Sequence, residues 1–345
     1  VYKKQPLYRN IFLIFGIVGL LVMIISFPDG WETVQKNRLN VVLYLPGVVG
    51  IWLFVYLLNA NAFQMLVNTS DHDKHLIFRN ALKLTISGFS FSYITPFGFG
   101  GGPYRVMELS KYIGTPRAIS SVALYSMMHI FSHFCFWAFC IVLFVLAYFS
   151  RLTWLSASLL LFSTLFVAAG LFVFIRAYRK GMAEKSVAWL THLPVVGKRF
   201  AGWLQENRET LRTIDEQITA LHRQNPRTFI AALSLEVLPR LLGCLELQFI
   251  LFVFTDEVAL VDCIAMQGFT SLLANIIFFI PMQVGVREAG MAIFAKFSMF
   301  NGAYGVLTSL IVRIREIVWI SIGIALLKTG NAQPVPQSQS NISTL

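Results

Sequence analysis

Long apolar segments separated by short polar stretches run through most of the chain. The first uncharged run, residues 11–27, has 17 residues, and a helix of that length rises about 26 Å at 1.5 Å per residue, enough to cross a bilayer core. Runs of similar character predict membrane helices at residues 11–27, 41–58, 118–150, 153–175, 229–254 and 302–327. The pattern therefore predicts an all-α polytopic membrane protein.

Two polar regions and a polar tail interrupt this pattern. Residues 28–40 are charge-balanced and are predicted as a loop. Residues 176–227 carry ten lysines and arginines against five acids, which favours the cytoplasmic side. Apolar residues at helical spacing within 179–227 predict an amphipathic connector between two membrane halves. The tail, 331–345, is polar and is predicted to be disordered.

Two short motifs must interrupt helices inside the apolar part of the chain. The first helix break, residues 95–108, places two prolines and four glycines within 96–103, and neither residue type supports a regular helix. The second helix break, residues 280–290, has the same order of proline, glycine, arginine and carboxylate. The predicted hinge residues are Pro96, Gly98, Gly100, Gly101, Gly102, Pro103, Pro281 and Gly285.

The parity of crossings predicts how these breaks sit in the membrane. Lys3, Lys4 and Arg9 favour a cytoplasmic N-terminus. If 59–80 and 180–227 are both cytoplasmic, the two spans between them leave residues 76–115 as a re-entrant hairpin.

A second hairpin is predicted at 258–300, opening outside behind an acidic loop that contains Asp256 and Glu257. The two halves, 1–178 and 228–330, then form an inverted-topology repeat, in which substrates bind near the midplane. An alternative is that 258–280 spans the membrane fully, which would move the C-terminus outside.

Composition supports a membrane protein and excludes other classes. Hydrophobic residues make up 56%, charged residues 13%, and the mean hydropathy is +0.66, more apolar surface than one soluble core buries. The net charge of +11 is expected to set topology and meet anionic headgroups rather than nucleic acid. The four cysteines lie in apolar segments without metal-ligand spacing, so no metal or cofactor is predicted.

Ionisable residues within the spans are candidates for function. Each costs about 2.5–3.5 kcal/mol at a bilayer centre, so each requires a partner or a polar cavity. Arginine suits bidentate capture of phosphate and stays charged when desolvated. The predicted substrate-binding residues are Arg105, Glu108, Glu236, Arg240, Arg287, Glu288 and Arg313.

A purely structural interpretation of the same charges remains open. Ion pairs Glu236–Arg240, Arg105–Glu108 and Arg313–Glu316 would simply hold the bundle together. The pair His129 and His133, four residues apart, is interpreted as hydrogen-bonded packing or as polar lining of a cavity. No catalytic dyad other than Glu–Arg pairs is predicted.

The two breaks resemble motifs of a known family. The residues from Ile94 to Lys111, with those from Ile280 to Gly290, resemble the lysylphosphatidylglycerol synthase transmembrane-region family of flippase-like proteins. The resemblance covers nearly the whole chain, and its second motif is the more specific. It implies movement of lipids, including aminoacylated phosphatidylglycerol, between leaflets.

Two departures from the family pattern change what is expected. Gly102 stands where the family generally carries an acid, which leaves Glu108 as the nearest carboxylate and puts the headgroup preference in doubt. The chain also stops after its last predicted span, so we expect no soluble aminoacyl-transfer domain and no synthesis of lysyl-lipid by this chain alone.

These features predict a lipid translocase of the cytoplasmic membrane rather than an enzyme. Arg105 and Arg287 would hold a lipid phosphate while Glu108, Glu236 or Glu288 balances charge. The expected partners are an anionic or aminoacylated phospholipid and the membrane itself, with a lipid-modifying enzyme or a second copy of the chain as further candidates. The alternatives are a membrane-embedded enzyme acting on a lipid-linked substrate and a non-transporting partner of a lipid-modifying enzyme.

Overall fold

The structure is a computed structural model that describes residues 28–69, 75–95, 100–180, 226–277, 285–298 and 301–328, with 208–209, 211–212, 215–216 and 283. The predicted span 11–27, most of the connector 179–227 and the tail 331–345 lie outside the described residues. So do the predicted hinge residues Pro96, Gly98 and Pro281.

Apart from one 3₁₀ turn, every regular element in the described part is an α-helix. The α-helices are α1 (Pro28–Asn68), α2 (Phe78–Ile94), α3 (Gly101–Ile113), α4 (Thr115–Tyr148), α5 (Trp154–Lys180), α6 (Pro226–Leu251), α7 (Leu260–Ile276), α8 (Val286–Phe297) and α9 (Gly302–Lys328). The segments long and apolar enough to cross a membrane are Leu39–Asn68, Thr115–Arg151, Trp154–Tyr178 and Pro226–Leu251. The chain is thus a multi-pass, all-α membrane protein.

The predicted loop at residues 28–40 is wrong, because these residues form the first turns of α1. Proline suits the first position of a helix, where its missing N–H and fixed φ do no harm, so Pro28 starts the helix rather than preventing it. The polar residues that follow include Glu32 and Lys36, which are good helix formers. The polar composition of residues 28–40 predicts a region outside the hydrocarbon, but it does not predict the secondary structure of that region.

Contacts between the long helices give their relative directions. Helices α1 and α6 are antiparallel, since Gly47 packs on Phe249 and Trp52 bonds Glu246. Helices α4 and α6 are parallel, because residue 129 contacts 236 and residue 133, one turn further along α4, contacts 240, one turn further along α6. Helix α5 is antiparallel to α4.

These directions define two ends of the bundle. We call the end with the C-termini of α1 and α5 and the N-termini of α4 and α6 the basic end, because Arg79, Lys83, Lys111 and Arg117 lie near it. We call the opposite end, which carries Asp256, Glu257 and Asp262, the acidic end.

Helices α2 and α3 form an antiparallel hairpin. Phe91 stacks on Tyr104 with ring centroids 4.5 Å apart, and Gly100 N–H donates to Thr95 Oγ1 at 2.8 Å near the tip. The hairpin opens at the basic end, where Asn68 bonds the backbone of Leu76. The chain therefore enters and leaves this hairpin at the same end of the bundle.

Helices α7 and α8 form a second antiparallel hairpin of similar dimensions. Phe269 stacks near Phe294, and Gln283 donates to the carbonyl of Ala274. This hairpin opens at the acidic end, where Tyr148 donates to Asp262. Helix α9 then runs back to the basic end, where Ser87 of α2 bonds the carbonyl of Gly323.

Apolar side chains gather at the two ends, and buried charges lie between them. One cluster at the basic end includes Phe63, Leu109 and Tyr178, and another at the acidic end includes Phe144 and Phe294. The buried charged residues are Glu236, Glu246, Glu288, Arg313, Arg315 and Glu316. Since a buried charge is costly unless it is paired, this polar layer must be held by specific contacts.

Candidate functional site

The second helix break fixes the first acidic residue of the polar layer. Gly285 has φ +85°, a left-handed conformation that glycine adopts without steric cost. Its N–H donates to Glu288 Oε2 at 2.8 Å, which caps α8. Glu288 Oε1 lies 3.1 Å from Arg313 Nε on α9. The glycine therefore orients a fully buried carboxylate towards the last helix.

A set of three arginines and three glutamates continues from this point, and we call it the paired network. Arg287 Nη1 donates to Glu316 Oε1 at 2.5 Å and to the hydroxyl of Tyr93 at 3.3 Å. Arg313 Nη1 donates to Glu316 Oε2 at 3.3 Å, so the predicted Arg313–Glu316 pair is confirmed. The members of the network are Glu246, Arg287, Glu288, Arg313, Arg315 and Glu316.

Helix α1 closes the other side of the paired network. Arg315 Nε lies 3.1 Å from Glu246 Oε1, and its guanidinium stacks 3.7 Å from the ring centre of Trp52. The indole N–H of Trp52 donates to Glu246 Oε2 at 2.6 Å. The sequence prediction missed Trp52 and Tyr93, since a single aromatic residue in an apolar helix carries no signal of a polar partner.

The first hairpin presents a different kind of arginine. Arg105, on the second turn of α3, lies against Gly88 of α2, where an added Cβ would be 2.6 Å from Nε. Its guanidinium carbon lies 5.3 Å from the ring centre of Tyr125. Its Nε is buried without a hydrogen-bond acceptor among the described residues.

The predicted Arg105–Glu108 ion pair is wrong. Glu108 lies 2.5 Å from Lys111 Nζ, its partner one turn further along α3. Residues 105 and 108 share a face of α3 because they are three residues apart. The Arg105 side chain nevertheless lies against α2 and Tyr125, whereas Glu108 pairs with Lys111 near the basic end. Arg105 therefore has no carboxylate partner within 4 Å among the residues that the structure describes.

Helices α4 and α6 supply a third set of polar contacts. His129 Nδ1 lies 2.7 Å from Glu236 Oε2. Arg240 donates to Ser132 Oγ at 2.6 Å, to the His129 carbonyl at 2.9 Å and to a ring nitrogen of His133 at 2.9 Å. The hydrogen bonds of the predicted Glu236–Arg240 pair thus go to α4 rather than to each other.

The sequence carried a signal for this arrangement. His129 and His133 are four apart on α4, and Glu236 and Arg240 are four apart on α6, so parallel helices bring the two pairs into register. The interpretation of the histidines as hydrogen-bonded polar groups is confirmed.

The first helix break is shorter than predicted. Gly101, Gly102 and Pro103 lie in the first turn of α3 rather than in an interruption, because proline is tolerated where a helix N–H would be unpaired. Gly101 allows close approach of α2, since a Cβ there would lie 2.5 Å from the Gly88 carbonyl. Gly100 is the N-cap residue of α3.

The family is shown by comparison with known families. The model of the lysylphosphatidylglycerol synthase TM region matches residues 11–323. The chain belongs to this family. No curated protein and no solved structure matches the chain. The match includes both helix breaks, and it relates this multi-pass membrane protein to phospholipid metabolism.

Two sets of charged residues in this protein differ in net charge. The paired network holds three arginines and three glutamates, so it is neutral when all six are charged. Among the described residues, the charged side chains next to residues 125–133 of α4 are Arg105, Glu236 and Arg240, which we call the open group. With neutral histidines the open group carries one excess positive charge. This excess positive charge lies near Arg105, which is only half-buried.

Proposed function

We propose that this protein is a lipid translocase that moves a phospholipid between leaflets, with the headgroup phosphate held by Arg105. The proposal rests on the burial of Arg105 and on the partners that its side chain lacks. Arg105 is a half-buried cation inside a membrane protein, with a buried Nε that lacks an acceptor and no carboxylate partner among the described residues. A charged side chain inside a membrane protein is costly unless an opposite charge lies nearby, so Arg105 is suited to bind an anion.

The charge balance supports a phosphodiester as that anion. The open group carries one excess positive charge, and a phosphodiester carries one negative charge, so binding would make the polar layer neutral. Arginine donors match phosphate oxygens geometrically and remain charged when water is excluded. Acyl chains would stay among the exposed apolar side chains of the bundle, which include Ile130, Phe139 and Met107.

We propose a role for Arg287 that differs from the one expected from the sequence. This arginine bonds Glu316 and Tyr93 inside the neutral paired network. In our proposal Arg287 and Arg313, with Glu288, hold α8 against α9, and Arg105 is the residue that contacts the headgroup. Glu108 lies outside the site, since it pairs with Lys111.

The hairpins supply a route for alternating exposure. Hairpin α2–α3 opens at the basic end and hairpin α7–α8 at the acidic end. We propose that they are the corresponding parts of an inverted-topology repeat, with the basic end in the cytoplasm. Rocking of one half against the other would expose the Arg105 region to each leaflet in turn.

The test is a fluorescent-lipid flipping assay in proteoliposomes with phosphatidylglycerol, phosphatidylcholine and lysyl-phosphatidylglycerol. Arg105→Ala is expected to reduce flipping about tenfold or more, because a charge-assisted hydrogen bond contributes about 1.5–3 kcal/mol. Arg105→Lys should retain part of the activity. Arg151→Ala is the matched control, since Arg151 also lies over a tyrosine ring, at 5.9 Å, but at the acidic end.

The outcomes separate the translocase from its alternatives. Protein-dependent flipping that Arg105→Ala removes and Arg151→Ala leaves intact supports the proposal. Equal flipping by wild type and Arg105→Ala contradicts it. If folded wild-type protein flips none of the three lipids, chemical change of the added lipid, followed by mass spectrometry, would indicate an enzyme. Co-purification with an active enzyme would indicate a non-transporting partner.

A further inference from the structure

His129 and Glu236 form a buried contact that holding a phosphate does not require. His129 Nδ1 lies 2.7 Å from Glu236 Oε2, and the Glu236 side chain is fully buried. The other carboxylate oxygen, Oε1, is buried without a hydrogen-bond partner among the described residues. The His129 side chain is 42% exposed, so this pair joins a fully buried carboxylate to a partly exposed imidazole.

The neighbouring histidine has a different role. Arg240 Nη1 lies 3.0 Å from Nδ1 and 2.9 Å from Nε2 of the His133 ring, so this imidazole contacts a cation. Arg240 also bonds Ser132 and the His129 carbonyl, which hold it in place. Of the two imidazoles, His129 is the one that contacts a carboxylate.

The headgroup site lies close to this pair along α4. Arg105 faces the ring of Tyr125 at 5.3 Å, and the centres of the Tyr125 and His129 rings are 6.1 Å apart. Arg105 and His129 are thus neighbours of the same ring, and charges at that separation still interact in a partly desolvated site.

The titratable and charged groups around His129, Glu236 and Arg240 come from α3, α4, α5 and α6. Besides these three residues they are Arg105, Tyr125, His133, Cys135 and Tyr178. Helices α1 and α7 contribute uncharged neighbours to this part of α4. Phe63 of α1 packs on Tyr125, and Ser271 of α7 accepts a hydrogen bond from Trp137. With Glu236 and Arg240 cancelling, the surroundings of His129 gain one negative charge when an anion joins Arg105.

We propose that the His129–Glu236 pair takes up one proton when the anionic headgroup binds, so that lipid and proton move together. Neutral His129 donates Nδ1–H to Glu236 and leaves Nε2 as the acceptor. The proton comes from water to Nε2, and the imidazolium remains hydrogen-bonded to the ionised carboxylate. Because coupling is reciprocal, the headgroup binds more tightly as pH falls. This inference rests on the translocase proposed above.

Proton uptake can be measured without transport. Short-chain dihexanoyl-phosphatidylglycerol is added to detergent-solubilised protein in weak buffer with a pH indicator dye, and its affinity is measured between pH 6 and 8. We expect wild type to take up about one proton and its affinity to rise by up to about tenfold per unit fall in pH. His129→Gln should still bind but with no uptake and a flat pH profile. His75→Gln, an exposed histidine between α1 and α2, is the matched control.

The second arm measures coupling during transport. In proteoliposomes a pH gradient should drive net flipping of phosphatidylglycerol by wild type and by His75→Gln, while His129→Gln flips at the same rate with and without the gradient. Wild type that flips lipid but shows no proton uptake and no gradient dependence overturns the coupling and leaves the translocase standing. Wild type that binds and flips no lipid overturns the translocase, and the coupling with it. The pH profile of wild-type binding decides the proposal even where His129→Gln does not fold.

Discussion

At the scale of single residues, the arginines of the polar layer fall into two roles that their sequence positions do not distinguish. Arg287, Arg313 and Arg315 each lie within 3.3 Å of a glutamate oxygen, so their charges are neutralised within the protein. Arg105 lies against glycine and an aromatic ring instead. In the proposed translocase, this difference makes Arg105 the arginine that binds the headgroup.

Glu316 is the residue on which the paired network depends. It contacts Arg287 and Arg313 and lies 3.9 Å from Arg315. Glu316→Gln would leave Arg287 without a carboxylate partner among the described residues, while Arg313 and Arg315 would keep Glu288 and Glu246. We expect a loss of about 3–5 kcal/mol in the free energy of unfolding, measured by thermal or denaturant unfolding in detergent.

Glu108→Gln is the matched control for this substitution. It removes a carboxylate from a partly exposed pair with Lys111, where about 0–1 kcal/mol is expected. Equal stability of the two variants would mean that the paired network contributes nothing specific.

At the scale of elements, small residues set how closely the helices approach. Lipid offers no hydrophobic drive between helices, so backbones associate where small residues permit contact. An added Cβ at Gly305 would lie 2.4 Å from the Met291 carbonyl on α8, and one at Gly101 would lie 2.5 Å from the Gly88 carbonyl on α2. The close packing of α9 on α8 and of α3 on α2 depends on these positions.

Gly88→Ala tests whether the α2 surface positions Arg105. The new Cβ would lie 2.6 Å from Arg105 Nε and 2.9 Å from Cζ, so the guanidinium must move. We expect binding of dihexanoyl-phosphatidylglycerol to weaken about tenfold, the loss of one charge-assisted hydrogen bond.

Gly102→Ala, in the same hairpin, meets nothing within 4 Å and serves as its control. The stability of both variants should stay within about 1 kcal/mol of the wild type, because Gly→Ala within a helix lowers the cost of backbone ordering. Unchanged affinity in a folded Gly88→Ala protein would show that the position of Arg105 is not critical.

At the scale of the whole molecule, the directions of the helices require the two hairpins to open at opposite ends. Residues 75 and 117 flank hairpin α2–α3 and lie at the basic end, while residues 256 and 301 flank hairpin α7–α8 and lie at the acidic end. The two hairpins meet between these ends, since Arg287 in the first turn of α8 donates to the hydroxyl of Tyr93 in the last turn of α2.

Single cysteines introduced as His75→Cys, Arg117→Cys, Asp256→Cys and Asn301→Cys, after replacement of the four native cysteines, test this arrangement. A membrane-impermeant maleimide added to intact cells or oriented vesicles should label the first two from one side and the last two from the other. Labelling of residues 75 and 117 from opposite sides would mean that the segment between them crosses the membrane once.

Apolar runs determined the membrane class, the existence of most spans and the places where helices must stop, because hydrocarbon thickness and proline geometry act locally. The family resemblance rested on the same two breaks and was confirmed. Only the tertiary structure decided which charges meet. Arg105 and Glu108 share a helix face by spacing but have different partners, and Glu246 meets Arg315 and Trp52 from two other helices. Such pairings depend on the direction, register and depth of packed helices, which no local pattern encodes.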